Sequence, residues 1–198
     1  MHAPHDPSRR LLLRAPLLAA VAAALPAAAI AAAPAVSAAA GGADPARAFD
    51  FFLGHWQVRY RRLRERLMGS DDWEEFEGRC QTQSLFGGLA QFDESVVNRP
   101  GLPYRGLALR SFDPAARRWA DWWLDTRNPQ RIAAPMIGGF ADGEGRFFGE
   151  SELRGTTVKV RGLWTDIGAE RVQWEQAYSA DGGASWETNW VSRYRRVG

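Results

Sequence analysis

The chain has 198 residues, with 25 Lys or Arg against 23 Asp or Glu and a formal net charge of +2. Three of the basic residues, Arg9, Arg10 and Arg14, lie near the start, so the remainder is nearly neutral and gives no reason to expect a nucleic-acid partner. Cys80 is the only cysteine, which excludes an intramolecular disulfide. His55 is the only histidine after residue 40, so paired imidazoles cannot hold a metal. We expect no metal and no cofactor.

Residues 1–40 have the layout of a cleavable export signal: a basic pair, an alanine-rich apolar run and small residues before the domain. Residues 8–14 also resemble a twin-arginine export motif. A retained membrane anchor is the alternative, because residues 15–33 are long enough to span a bilayer, but prolines in that run favour cleavage. We therefore expect a periplasmic or secreted domain over residues 41–198.

The first predicted element of this domain is a short helix over residues 45–53. Asp44 is a good N-cap, and Gly54 suits the left-handed residue that ends a helix. Phe49 and Phe52 lie one turn apart and give the helix an apolar face, which must pack on another part of the chain.

From Trp56 onward the apolar residues alternate with polar ones, which is the period of a strand. We predict strands over residues 56–67, 73–84, 89–98, 104–112, 117–125, 132–140, 146–153, 156–165, 171–179 and 186–197. The connections are rich in Gly, Asp and Pro and are too short for parallel crossovers. We expect an all-β fold, a single antiparallel up-and-down barrel of about 8–10 strands, with the helix capping one end.

A transmembrane barrel would have the same topology. Its outer face would have to carry charged residues such as Glu75, Arg79 and Lys159 in contact with lipid, at a cost of a few kcal/mol each near the bilayer midplane. We therefore expect no membrane partner after signal cleavage.

Alternation also predicts which side chains point into the barrel. The predicted inward face takes every second residue of each strand, starting with the first residue of these ranges: 76–82, 92–96, 158–164, 172–178 and 186–194. On 117–125 both faces look half apolar, and the pattern does not choose between them. The candidate ligand-binding residues are Phe76, Phe92, Glu94, Trp164, Trp174, Gln176, Tyr178 and Trp190.

Glu94 is unusual because it is a carboxylate between Phe92 and Val96 on a face that otherwise reads apolar. It is the candidate catalytic residue, as an acid or base, or an anchor for a ligand's polar end. The alternatives are an ion pair with an arginine such as Arg110, or a position near the barrel rim where both faces are wet.

Gly54-His55-Trp56, at the entrance to the first strand after a short helix, resembles the calycin group of barrels, which includes lipocalins. In lipocalins this tryptophan crosses the barrel floor under an arginine from late in the chain, and the resemblance implies such a role for Arg193, Arg195 or Arg196. Residues 49–56 together with 178–190 resemble a bacterial domain family of unknown function with a lipocalin-like fold. That resemblance spans about 46–198 and implies no catalytic residues.

Three functions remain open at this point. The first is a small barrel that binds a small hydrophobic or amphipathic molecule in an aromatic-lined cavity. The second is an enzyme of the isomerase, cyclase or hydrolase kind that uses Glu94. The third is a structural or protein-interaction module with a filled interior.

Overall fold

The computed structural model describes residues 44–197; the predicted export signal lies outside them. The described chain forms a closed barrel of ten strands. The strands are β1 Gly54–Leu63, β2 Trp73–Leu85, β3 Ala90–Val97, β4 Tyr104–Asp113, β5 Arg118–Asp125, β6 Met136–Ala141, β7 Glu144–Leu153, β8 Thr156–Thr165, β9 Arg171–Ser179 and β10 Glu187–Arg196. No helix between Asp44 and Val197 is long and apolar enough to cross a membrane.

Each strand pairs antiparallel with its neighbours in the chain, and β1 pairs with β10 to close the sheet. The predicted fold class is therefore confirmed. Short connections make neighbouring strands antiparallel, and closure gives every strand two neighbours to pair with.

The predicted N-terminal cap is present, but its backbone is two 3-10 turns, Pro45–Arg47 and Asp50–Phe52, instead of one helix. Asp44 Oδ1 accepts a hydrogen bond from the Ala46 amide at 3.0 Å, as expected of an N-cap. A helix of this length is marginal in water. Packing therefore decides the backbone, and it buries Phe49 and Phe52 to at most 1% exposure.

Trp56 lies at the floor of the barrel, fully buried against Phe52. Its indole Nε1 donates to the Phe52 carbonyl at 2.8 Å, and Arg196 Cζ lies 4.1 Å from the ring centre. Arg196 also donates to the Leu53 and Phe51 carbonyls at 2.6 and 2.7 Å. Gly54 allows this approach, because its φ is +110° and a Cβ there would lie 2.8 Å from Arg196 Nη1.

Of the three candidate arginines, Arg196 is the one that lies over Trp56; the structure does not place Arg193 or Arg195 there. Alternation places both of those side chains on the outer surface. There Arg193 donates to Gln173 at 2.8 Å and Arg195 donates to Gln57 at 2.6 Å.

The wall is least complete between β5 and β6. These strands pair over only Trp119–Gly138, Ala120–Ile137 and Asp121–Met136. The prediction that β6 begins at residue 132 was wrong: residues 126–135 form a loop, and the strand starts directly after Pro135, which has no N–H for the ladder.

Alternation assigned the inner face correctly on β2, β8 and β9 but failed on β3. The structure buries Gln91, Asp93, Ser95 and Val97, while Glu94 is exposed and Phe92 and Val96 are partly exposed. The expected inward direction of Phe92 and Glu94 was therefore wrong. The reason is that the interior beside β3 is polar.

Two further strands complete the assignment of the inner face. On β5 the inward side, left open by the sequence, carries Asp121, Trp123 and Asp125. On β10 a register shift between Thr188 and Trp190 interrupts the alternation. Trp186 lies just before β10 and does not share the inward face of Trp190, contrary to the prediction. It lies beside the half-exposed Phe148, with ring centres 6.2 Å apart.

Candidate functional site

The barrel interior contains a cavity of about 310 Å³. This lies at the lower end of the range of small-molecule sites and equals roughly ten water molecules at about 30 Å³ each. Ala133, Ala134 and Met136, beside the gap between β5 and β6, contribute to its lining. The interior can therefore hold a small molecule, and the incomplete part of the wall borders it.

Aromatic side chains form much of the cavity wall. They are Tyr60, Tyr104, Trp123, Trp164, Trp174, Tyr178, Trp190 and Tyr194. Several are held by hydrogen bonds: Trp190 Nε1 donates to Ser192 Oγ at 2.9 Å, and Trp123 Nε1 donates to Asp125 Oδ2 at 3.0 Å. The wall therefore presents fixed aromatic groups to anything in the cavity.

A charged cluster is buried in the same cavity. Arg110 of β4 lies in register with Asp121 of β5, and Asp93 belongs to the neighbouring strand β3. Arg110 Nη1 donates to Asp93 Oδ1 at 2.6 Å, and Arg110 Nε lies 3.4 Å from Asp121 Oδ2. The three side chains are 4–7% exposed. We call them the Asp–Arg–Asp cluster.

Arg110 also connects this cluster to the floor. Its Cζ lies 5.1 Å from the ring centre of Phe49, 5.4 Å from that of Phe52 and 5.2 Å from that of Trp164. Such distances are those of cation–π contacts. The N-terminal cap therefore holds the guanidinium from one side while the two carboxylates hold it from another.

Burial and mutual attraction set the ionisation of the cluster. Burial raises the pKa of Asp121 to about 6, even though Arg110 acts in the opposite direction. Burial alone would lower the pKa of Arg110, but Asp121 and Asp93 together raise it above its ordinary value. Arg110 thus stays charged, and Asp121 titrates within the physiological range.

Three further titratable groups of the interior, two tyrosines and the cysteine, stay neutral. Burial raises the pKa of Tyr60, of Tyr194 and of the Cys80 thiol. Cys80 is 3% exposed, so its placement is that of a small buried residue.

Two arginines lie among the cavity residues near the other end of the strands. Arg127 donates to both carboxylate oxygens of Asp125, at 2.9 and 2.6 Å, and its Cζ lies 3.9 Å from the ring centre of Tyr104. Arg66 donates to the Tyr178 hydroxyl at 3.2 Å. Arg127 is therefore paired with a carboxylate, whereas Arg66 has a neutral hydroxyl as its partner and its Nε makes no hydrogen bond among the described residues.

No metal site accompanies these groups in the described part of the chain. Between Asp44 and Val197 no set of three or more His, Cys, Asp or Glu side chains is placed to hold a metal ion.

The structure brings together most of the candidate residues from the late strands. Those that line the cavity are Trp164, Trp174, Gln176, Tyr178 and Trp190. Phe76 lies next to the wall, with its ring centre 5.4 Å from Tyr60 and 5.7 Å from Trp190. Phe92 and Glu94 lie on the outer face. There Glu94 is 48% exposed and forms an ion pair with Arg105 at 2.6 Å.

Sequence reasoning missed the Asp–Arg–Asp cluster. One signal was available: Gln91, Asp93 and Ser95 form an alternating polar row, with Arg110 and Asp121 on the next two strands. Charged residues that complement one another on consecutive strands indicate a polar interior. Predicting from this signal that the three charged side chains meet requires the register between strands, and local alternation does not give that register.

Comparisons with known proteins add a likeness of shape to solved structures. No family model matches the chain, and no curated protein matches it. A solved structure of a redesigned beta barrel is similar at a TM-score of 0.43 and 12% sequence identity, covering 77% of this chain and 96% of that one. The architecture described above stands on the strand pairing of this chain itself.

Proposed function

We propose that this barrel binds a small hydrophobic or amphipathic molecule in its cavity. The observation that carries the proposal is the cavity of about 310 Å³, lined by aromatic side chains with a buried charged cluster. Sites of this kind combine apolar walls with a few polar groups that orient the ligand. The resemblance of the sequence to lipocalin-like domains supports the same function.

The cavity weighs against a module with a filled interior. Such a barrel should retain no space beyond a few water volumes, whereas this one has room for roughly ten. The acid or base role considered for Glu94 finds no support either, because its side chain is on the outer face. The export signal read in residues 1–40 makes the ligand a periplasmic or extracellular molecule in this proposal.

The binding test uses the intrinsic fluorescence of the cavity tryptophans. A panel of lipid-like and aromatic molecules, including lipid extracts, is titrated while Trp emission and the melting temperature are followed. Binding should change the emission and raise the melting temperature. A panel that leaves both unchanged would remove the support for binding.

A matched pair of variants on β4 locates the site. Ala108 lines the cavity, whereas Leu109 is on the outer face and 37% exposed. Ala108→Phe fills cavity space and should weaken binding about tenfold or more, while Leu109→Phe should leave it unchanged. Equal binding by the two variants would place the ligand elsewhere.

A further inference from the structure

We propose that the polar end of the ligand is a cationic nitrogen and that Asp121 accepts it, so that the barrel takes small organic amines with an aromatic or aliphatic body. This inference rests on the proposed function and names the class of ligand. It stands on the geometry of the Asp–Arg–Asp cluster and of the aromatic wall.

The first observation is unused acceptor capacity in a buried carboxylate. The Asp121 side chain is 7% exposed and lines the cavity. Its neighbour Arg110 Nε, at 3.4 Å, makes no hydrogen bond among the described residues. By contrast, Asp93 accepts a 2.6 Å bond from Arg110. Asp121 can therefore accept hydrogen bonds from a ligand without losing one from the protein.

The second observation is the charge balance. One guanidinium, Arg110, faces two carboxylates, and its positive charge is shared with the rings of Phe49, Phe52 and Trp164. Of the arginines farther along the cavity, Arg127 is paired with the Asp125 carboxylate, whereas Arg66, near the opposite end from the floor, donates to the neutral Tyr178 hydroxyl and keeps its charge. When Asp121 is ionised the Asp–Arg–Asp cluster itself carries a net charge of minus one, which attracts a cation and repels an anion beside Asp121.

The third observation is the aromatic character of the cavity wall. Trp123 shares the inward face of β5 with Asp121. The ring of Trp164 contacts Arg110, and the ring centres of Trp164 and Trp174 are 6.4 Å apart. The faces of Trp and Tyr attract an ammonium group by cation–π interaction. Aromatic faces beside a carboxylate suit an amine and its apolar body together.

Binding of a cation should depend on the ionisation of Asp121. The charged groups around it in the cavity are Arg110 and Asp93, with Asp125, Arg127, Arg66 and Glu150 farther along the lining. Tyr60 and Tyr194 also line it and stay neutral, since burial raises their pKa values. With the pKa of Asp121 at about 6, amine affinity should rise as the pH increases through that value.

Three probes with one body and different heads test the inference: phenethylamine, phenethyl alcohol and phenylacetate. Each has about ten non-hydrogen atoms, which suits a cavity of roughly ten water volumes. Near pH 7.5 the amine should bind about tenfold or more tightly than the alcohol, because a charge-assisted hydrogen bond replaces a neutral one, and phenylacetate should be weakest. Below pH 6 the preference for the amine should shrink while the affinity for the alcohol stays level.

Variants assign the preference to Asp121. In Asp121→Asn the amine and the alcohol should bind within about threefold of each other, whereas the control Glu94→Gln, on the outer face, should behave as the unaltered protein. If Asp121 serves only as an ion-pair partner of Arg110, the substitution will weaken amine and alcohol equally. That result overturns the inference.

If Asp121→Asn fails to fold, amine affinity measured against pH in the unaltered protein tests the role of Asp121. Amine affinity that does not fall on acidification, or that never exceeds alcohol affinity, overturns the inference and leaves the proposed function intact. Failure of all three probes to bind also overturns it. The proposed function is contradicted only if the wider ligand panel also leaves Trp emission and the melting temperature unchanged.

Discussion

The floor of the barrel and its middle differ in how their polar groups are used. At the floor, Trp56 is fully buried and Arg196 donates to three backbone carbonyls while covering the indole ring. In the middle, the cavity contains Asp121, whose neighbouring donor makes no hydrogen bond, and the indole nitrogens of Trp164 and Trp174 also lack partners among the described residues.

The difference separates a region built for stability from one able to bind. Buried polar groups without partners cost free energy, so a fold tolerates them where something else can satisfy them. At the floor the polar groups around Trp56 have partners, whereas several of those that line the cavity have none in the described part of the chain.

Removing the floor indole should give the largest loss of stability. Trp56→Ala leaves a cavity under Phe52 and frees Arg196, so the free energy of unfolding should fall by about 4 kcal/mol. Phe148→Ala is the control, because Phe148 is 49% exposed, and it should cost at most about 1 kcal/mol. Denaturant unfolding measures both. Similar losses would show that the floor has no special role.

Removing the charge at the centre of the cluster should cost somewhat less. Arg110→Met leaves Asp93 and Asp121 buried without a counter-ion, which should lower the free energy of unfolding by about 3 kcal/mol near pH 7.5. The loss should be smaller near pH 5, because Asp121 has a pKa of about 6 and can take up a proton. Arg105→Met, on the outer face of the same strand, should change stability by at most about 0.5 kcal/mol. A loss independent of pH would contradict this account.

Because the pKa of the Asp121 carboxyl is raised, its contribution to the free energy of unfolding should decrease as the pH rises. Between pH 4 and 6 folded Asp121 holds a proton that the unfolded chain has released, so this contribution to stability is present at low pH and is lost as pH rises through about 6. Relative to Asp121→Asn, the unaltered protein should lose about 2–3 kcal/mol between pH 4 and 7.

Glu74→Gln provides a control of opposite sign for that titration. Burial acts to raise the pKa of Glu74, but Arg62 and Arg99 together lower it. Its contribution to stability is therefore present at neutral pH and is lost on acidification. Equal slopes for Asp121→Asn and Glu74→Gln in unfolding experiments across the pH range would contradict both assignments.

The fold could be predicted because its signals are local. Turn residues and strand alternation predicted the antiparallel strands. The predicted inner face agrees with the structure where the interior is apolar, as at Val158 and Val160 of β8. On β3 the rule failed because Phe92 packs on the outer face in register with Leu109, which itself lies in register with Trp122. An apolar row outside and a polar row inside reverse the usual pattern.

The site was harder to predict than the fold because its parts lie on separate strands. Asp93, Arg110 and Asp121 come together only through the registers of β3 with β4 and of β4 with β5. On β10 the register shift after Thr188 changes which residues face inward, and nothing in the alternation reveals it. Late-strand residues such as Trp174 and Gln176 were predicted because regular alternation holds there.

The smallest expected effect tests the face of β3 most directly. Glu94→Gln removes an exposed charge that pairs with Arg105, and the free energy of unfolding should change by no more than about 0.5 kcal/mol, with ligand binding unaltered. Asp93→Asn, one residue away, takes from buried Arg110 its 2.6 Å carboxylate partner and should cost about 2 kcal/mol. Because successive side chains of a strand point to opposite faces, these two neighbours cannot both be interior. If Glu94→Gln proves the costlier change, the assignment of the polar face of β3 to the cavity is wrong, and the Asp–Arg–Asp cluster is not the charged group that a ligand meets.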